Sequence, residues 1–228
     1  MEMSVSRRES SRNALAQSSE EWPSSARRQT AYHHGNLAQA LTTAARAILE
    51  EEGLAKLSLR AAARRAGVSQ AAPYHHFRDK EALLASVATQ GHKDFAAALQ
   101  AGMERAGPAP GEAWVGCGVA YVEFALQNPG LFRLMFGSAI EHCGAYPALT
   151  DAGRASYAVL QQAVSALQTA DAAGAELLAL DSWSTVHGLA TLLIDGGLEP
   201  RDVGAEDGTA LARALLTARL ESLSGVGH

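Results

Sequence analysis

The chain is predicted to be all-α, and three observations carry that. Alanine is abundant while runs of β-branched residues are absent, glycine and proline punctuate the sequence at helical lengths, and no apolar–polar alternation outlasts a few positions. With 47% of its 228 residues apolar and 19% charged, the chain has ample material for a packed core and is not a wholly disordered polymer.

Residues 1 to about 30 hold eight serines and two arginine pairs (Arg7-Arg8, Arg27-Arg28) without apolar period, and read as a flexible tail whose arginines could supplement contacts to a polyanion. A first helix is expected from Asn36, as N-cap, to Glu52, with Gly53 ending it. Leu37, Leu41, Ala44 and Ile48 share its apolar face, and Gln39, Thr43, Arg46 and Glu50 stand opposite. Ser58 caps a short second helix, Leu59 to Arg65, with Leu59, Ala62, Ala63 and Ala66 to one side and Arg60 and Arg64 to the other. Gly67 supplies a sharp turn, and Ser69 can cap a third helix from Gln70 to about Phe77. Asp79 caps a fourth, which runs to about Arg105 with a break near Gly91.

Gly107-Pro108-Ala109-Pro110-Gly111 stops that helix. Beyond it the pattern predicts helices over 112–127, 149–169, 176–195 and from about 208 to 223, with a short apolar turn over 131–136.

Charge is divided unevenly. Residues 1–80 carry 12 Lys/Arg against 8 Asp/Glu, net +4, whereas 81–228 carry 7 against 16, net −9. A basic first third can bind a polyanion locally even though the whole chain is acidic. No apolar run approaches the roughly 20 residues of a membrane span, and the N-terminus has no apolar stretch fit for export. Two cysteines, Cys117 and Cys143, make no disulfide framework, which suits a reducing cytoplasm.

Two short helices around a tight glycine turn, behind a helix able to pack over both, make the helix-turn-helix pattern. Its second helix must be narrow and exposed to enter a major groove, and its first must offer cations to the flanking phosphates, which Arg60 and Arg64 do. The run Ser58-Leu59-Arg60-Ala61-Ala62-Ala63-Arg64-Arg65-Ala66-Gly67-Val68-Ser69, followed by Tyr74-His75-His76-Phe77-Arg78-Asp79-Lys80-Glu81-Ala82-Leu83, resembles the DNA-binding domain of the TetR family of transcriptional regulators. The resemblance covers about residues 32–85. Tyr32-His33-His34-Gly35-Asn36-Leu37 is similar to a subgroup whose C-terminal domain carries Trp-His-Gly, where this chain has Val186-His187-Gly188.

The resemblance implies a helix-turn-helix domain over 31–78 and a helical effector-binding and dimerisation domain over 79–228. It implies a homodimer on an inverted-repeat operator in double-stranded DNA, released when a small effector binds. It places Gln70, Ala71 and Ala72 near base edges, Ser69 at a phosphate-facing helix start, Tyr74 and Lys80 on the backbone, and His75 on the exposed side, with His76 and Phe77 packed inward. Pro73 stands where the family often has a branched apolar residue, and loses the bond to the Ser69 carbonyl.

In the C-terminal region the 112–127 helix is apolar on two faces, Trp114, Cys117, Tyr121 and Phe124 on one and Val115, Val119, Val122 and Leu126 on the other, as a central bundle helix requires. The aromatic stripe is core in the simplest reading and the lining of an effector cavity in the other, with Phe132, Met135 and Phe136 closing one end and Met103 the side toward the DNA-binding domain. His187 shares a face with Leu180, Trp183, Ala190 and Ile194, so it is a core or interface histidine first and an effector contact second, and Gly188 suggests a close helix approach. Leu211, Leu215, Leu216, Leu220 and Leu223 spread around more than half of the last helix, leaving an apolar patch for a second subunit to cover together with the 176–195 helix.

The rival readings are weaker. Adjacent histidines such as His33-His34 and His75-His76 diverge on a helix and have no completing ligand, so no metal is expected. No cofactor motif is present, Cys117 lies in an apolar helix without an activating base, and His142-Cys143 is adjacent in sequence only, so an enzyme is not expected. A DNA-architectural protein without effector is the remaining alternative.

Overall fold

Alanine-rich segments separated by glycine and proline fold as helices throughout. The computed structural model describes residues 34–167 and 172–225, and within them there are eight α-helices, three short 3-10 turns and no strand. The helices are α1 (His34–Glu52), α2 (Leu59–Arg65), α3 (Lys80–Ala106), α4 (Pro110–Gln127), α5 (Pro129–Phe136), α6 (Pro147–Ser165), α7 (Ala172–Ile194) and α8 (Gly208–Gly225). The expected tail over 1–30 and His33 lie outside the described residues. The described residues from Ala38 onward pack as one compact unit.

Several boundaries differ from expectation for identifiable reasons. Helix α1 already includes Asn36 in its first turn, so Asn36 is not its cap. Prolines open α4, α5 and α6, because a ring that fixes φ and lacks an N–H suits the first helical turn; α4 and α6 therefore start two residues early, at Pro110 and Pro147. Helix α3 runs unbroken through Gly91, which is buried where Leu131 and Met135 of α5 press against the helix.

Helix α4 is the centre, packed against α3, α6, α7 and α8. Both predicted apolar stripes are buried, Leu126 alone being half-buried. At the α3–α4 crossing Gly102 and Gly116 face each other, and a Cβ at either would collide with the other's carbonyl or with Ala120 and Ala106. That pair sets the close approach of the two longest-packed helices.

Arg46 and Glu50, opposite the apolar face of α1, are half-buried and engaged rather than free. Arg46 pairs with Asp94 of α3 and donates to Asn128 Oδ1 at 2.9 Å. The Glu50 carboxylate accepts from the N–H groups of Gly130 (3.0 Å) and Leu131 (2.7 Å), capping the start of α5. Helix α1 is thereby tied to both α3 and α5.

By length and mean hydropathy (1.3 over Ala173–Ile194) α7 could cross a membrane, yet Glu176, Asp181 and His187 interrupt it, so it is no uninterrupted apolar run. Its polar side chains serve the bundle: Ser182 accepts from Trp114 Nε1 at 3.3 Å, and Asp181 pairs with Arg219 of α8.

Candidate nucleic-acid interface and ligand cavity

The turn between α2 and α3 is built by local rules. Ser58 Oγ accepts from Ala61 N at 3.1 Å and starts α2, which buries Leu59, Ala61, Ala62 and Ala63 and leaves Arg60 and Arg64 exposed. Arg65 turns back onto Glu51 and Glu52, which hold its guanidinium even more firmly protonated and spend it inside the fold. Gly67 takes φ +69°, a conformation few other residues adopt, and reverses the chain.

The expected third helix, Gln70 to Phe77, shrinks to a 3-10 turn over Ala72–His75. Pro73 explains this. Without an N–H it cannot reach the Ser69 carbonyl, which instead accepts from Ala72 N at 3.0 Å, and Pro73 itself is buried. The Ser69 cap expectation is corrected accordingly: its carbonyl, not its hydroxyl, serves the turn. One α-type bond survives, Phe77 N to Pro73 O at 2.8 Å.

Ser69, Gln70, Ala71, Tyr74 and His75 are exposed along this turn, Tyr74 by 53%, while Ala72 is half-buried and Phe77 buried. His76 faces inward, its Nε2 closed from solvent and without a partner among the described residues. Asp79 Oδ1 accepts from Ala82 N at 2.8 Å and starts α3. Exposed Lys80 donates to the Leu54 carbonyl at 3.1 Å, which fixes its stem while leaving two ammonium hydrogens. Arg78 donates to Tyr146 Oη at 3.1 Å and lies 5.5 Å over that ring, joining the turn to the loop before α6. The face thus combines Arg60, Arg64 and Lys80 with an exposed polar edge.

A cavity of about 370 Å³ lies among α3, α4, α5, α6 and α7. Helix α3 contributes His92, Phe95 and Leu99, which share one face by their spacing; α4 gives Tyr121, α5 Phe136, α6 Arg154, Ser156, Tyr157 and Leu160, and α7 Trp183. Three of the ten expected effector-contact residues line it: Tyr121, Phe136 and Trp183. Phe132 and His187 line a second cavity of about 210 Å³, which shares Phe136 with the first. Trp114, Cys117 and Phe124 are buried core outside both cavities, although they share a face of α4 with Tyr121. Met135 packs at Gly91. Met103 is corrected most: it lies 23 residues past Lys80, about 35 Å along α3 and away from the α2–α3 turn.

Polar groups within the wall satisfy one another. The Trp183 indole donates to Tyr121 Oη at 3.1 Å, and the same oxygen shares a hydrogen bond with His187 Nδ1, 2.9 Å away, whose direction follows the imidazole tautomer. Burial raises the Tyr121 pKa and lowers that of His187. Ser156 Oγ donates to the Gly153 carbonyl at 2.8 Å and meets His92 Nδ1 at 3.1 Å. Burial also lowers the His92 pKa, a backbone contact at Met135 acting in the opposite sense. The Cys117 thiol is pushed up to about 12 by burial and is no nucleophile at neutral pH. Gly188 is exposed with nothing within 4 Å of a Cβ placed there, so no close approach occurs at it within one chain.

Residues 41–87 match the family model described as bacterial regulatory proteins of the tetR family, and residues 114–218 match one described as a tetracyclin repressor-like C-terminal domain. A solved protein of unknown function from Rhodococcus sp. RHA1 is 37% identical, over 86% of this chain and 97% of its own, with a TM-score of 0.68. A transcriptional regulator from the same organism is 24% identical over 82% of this chain and 97% of its own, with a TM-score of 0.62. A tetR-family regulatory protein from Rhodococcus RHA1 is 22% identical over 82% and 96%, with a TM-score of 0.57. No curated protein matches the chain.

Proposed function

The chain belongs to the TetR family of bacterial transcriptional regulators, and from that premise we propose that it is a repressor released from operator DNA by a small apolar effector. One observation carries the reading: α3 begins at the Asp79–Lys80 edge of the turn and, about 18 Å further along, supplies His92, Phe95 and Leu99 to the cavity wall. A rigid rod with one end at each site turns a change of cavity shape into a change of turn position. In this reading 31–78 reads DNA, and 79–228 binds the effector and dimerises.

Arg60, Arg64, Tyr74 and Lys80 would hold phosphates, as would the Ser69 edge, while Gln70, Ala71, Ala72 and His75 would meet base edges. The bidentate amide of Gln70 fits adenine. Dimerisation is supported by the stripe Leu177, Leu180 and Leu192 on α7, 68%, 49% and 50% exposed, with bare Gly188 between them, and by Leu215 on α8 at 41%. A second copy covering that stripe gives light scattering of about twice the 23.8 kDa chain mass; a monomer at micromolar concentration would refute the interface.

Selection from a random duplex pool tests the DNA reading, with an inverted repeat as the expected product. On the selected operator, Arg60→Ala and Lys80→Ala should weaken specific and random DNA alike and shallow the salt dependence. Gln70→Ala should relax preference at one position of each half-site. Equal loss on both DNAs would remove Gln70 from base readout.

A further inference from the structure

The wall of the larger cavity identifies the class of molecule it accepts. Inside, every polar group is engaged with a neighbour: Tyr121 with Trp183 and His187, Ser156 with Gly153 and His92. What remains facing the space is aromatic and aliphatic, chiefly Phe95, Leu99, Phe136 and Leu160. A polar or charged group carried deep into it would lose water and gain no partner. The body of the ligand is therefore apolar.

The rim differs. Arg154 lines the cavity, is exposed, and has no hydrogen bond or ion pair to any described residue. Tyr157 stands one helical turn further along α6, edge-on to the Trp183 ring at 5.5 Å between centroids, and its hydroxyl likewise has no partner among the described residues. Residue 153, beside Arg154, is a glycine, which leaves the approach to the His92 edge open. A guanidinium and a phenol on one face of one helix form a donor pair for a carboxylate. Arg105, Arg133 and Arg219 of the bundle are paired with Glu123, Asp195 and Asp181; Arg154, like Arg201 and Arg213, is not, and of those three it alone lines the cavity.

We propose that the cavity binds an apolar monocarboxylate, with its hydrocarbon or aryl body between α3, α4 and α7 and its carboxylate at Arg154 and Tyr157. This rests on the reading of that cavity as the effector site. At about 370 Å³ the space is at the small end of ligand sites, which selects a single ring system or a chain of medium length over a macrocycle.

Calorimetric titration of the full chain with decanoate, 1-decanol and decylammonium tests it without DNA. Decanoate should bind about tenfold tighter than decanol, as one exposed charge-assisted contact allows, and decylammonium should bind weakest. Arg154→Gln should erase the decanoate advantage while leaving decanol binding unchanged, which also shows that the variant is folded; Arg154→Lys should keep most of the advantage. Equal affinity for the acid and the alcohol, a preference for the ammonium, binding of none of the three, or an Arg154→Gln loss common to acid and alcohol would overturn the inference. Operator binding by the ligand-free protein is measured separately. Retained DNA binding with no carboxylate preference would refute this inference alone, and carboxylate binding that leaves operator affinity unchanged would support it while refuting the effector reading.

Discussion

Tyr121 is the residue on which most of the interior polarity turns. Its hydroxyl accepts the Trp183 N–H and shares a second hydrogen bond with His187 Nδ1, so removing one oxygen leaves two half-buried groups without that partner. Tyr121→Phe changes almost no volume and should cost about 1–3 kcal/mol in urea unfolding, the usual penalty for such a loss. An unchanged midpoint would mean that water replaces the phenol freely. The two cavity histidines add a pH dependence. Burial holds His92 and His187 below the ordinary imidazole range. Below about 6.5 the unfolded chain takes up protons that the folded chain refuses, so stability is full above that pH and falls as acid is added. Thermal midpoints at pH 7.5, 6.5 and 5.5 should decline in that order, and His92→Gln should flatten the decline; an equal slope in both proteins would clear His92 of any part. His92 was hidden in the sequence because its meaning comes from Ser156, 64 residues away. The signal available, His92, Phe95 and Leu99 on one face beside the Ser156, Tyr157 and Leu160 stripe of α6, was only helical periodicity, which core and cavity walls share.

At the scale of elements, local chemistry was legible and distant chemistry was not. Ser58, Gly67 and Asp79 act where their side-chain types dictate, since a cap or a left-handed turn needs only residues three or four positions away. Arg46 and Glu50 sit opposite an apolar face and so pass for solvated residues, yet their partners lie 48 to 82 residues on. Pro73 was legible as a defect, but its extent was not: the loss of a single N–H reduces an expected eight-residue helix to one 3-10 turn, since a segment so short has few other bonds to hold it. Pro73→Val keeps the buried apolar volume and restores the donor. The turn should lengthen toward an α-helix, with the new amide of residue 73 protected from hydrogen exchange by the Ser69 carbonyl. A rapidly exchanging amide there would show that packing, not the proline, shapes the turn.

Across the whole molecule two struts join the cavity to the turn. One is α3. The other is α5, about 12 Å long, whose Phe136 end forms cavity wall and whose first N–H groups are held by Glu50 of α1. In the proposed mechanism, a ligand that moves Phe136 pulls through Glu50 on α1, which Arg65 pairs to α2 by way of Glu51 and Glu52. Glu50→Gln keeps the size of the side chain, removes its charge and turns one of its two acceptors into a donor, so one of the two N–H bonds to α5 is lost. The expected result is ligand affinity within about twofold of wild type, together with a smaller ligand-induced loss of operator affinity, the coupling in such systems being typically about 1–3 kcal/mol. Fluorescence anisotropy on the selected operator, with and without saturating ligand, reads this directly. Because coupling is reciprocal, DNA must weaken ligand binding by the same factor in each protein, so calorimetry on the DNA complex gives an independent value for the same quantity. Should Glu50→Gln leave both factors at their wild-type size, α3 alone transmits the signal and α5 serves only to wall the cavity.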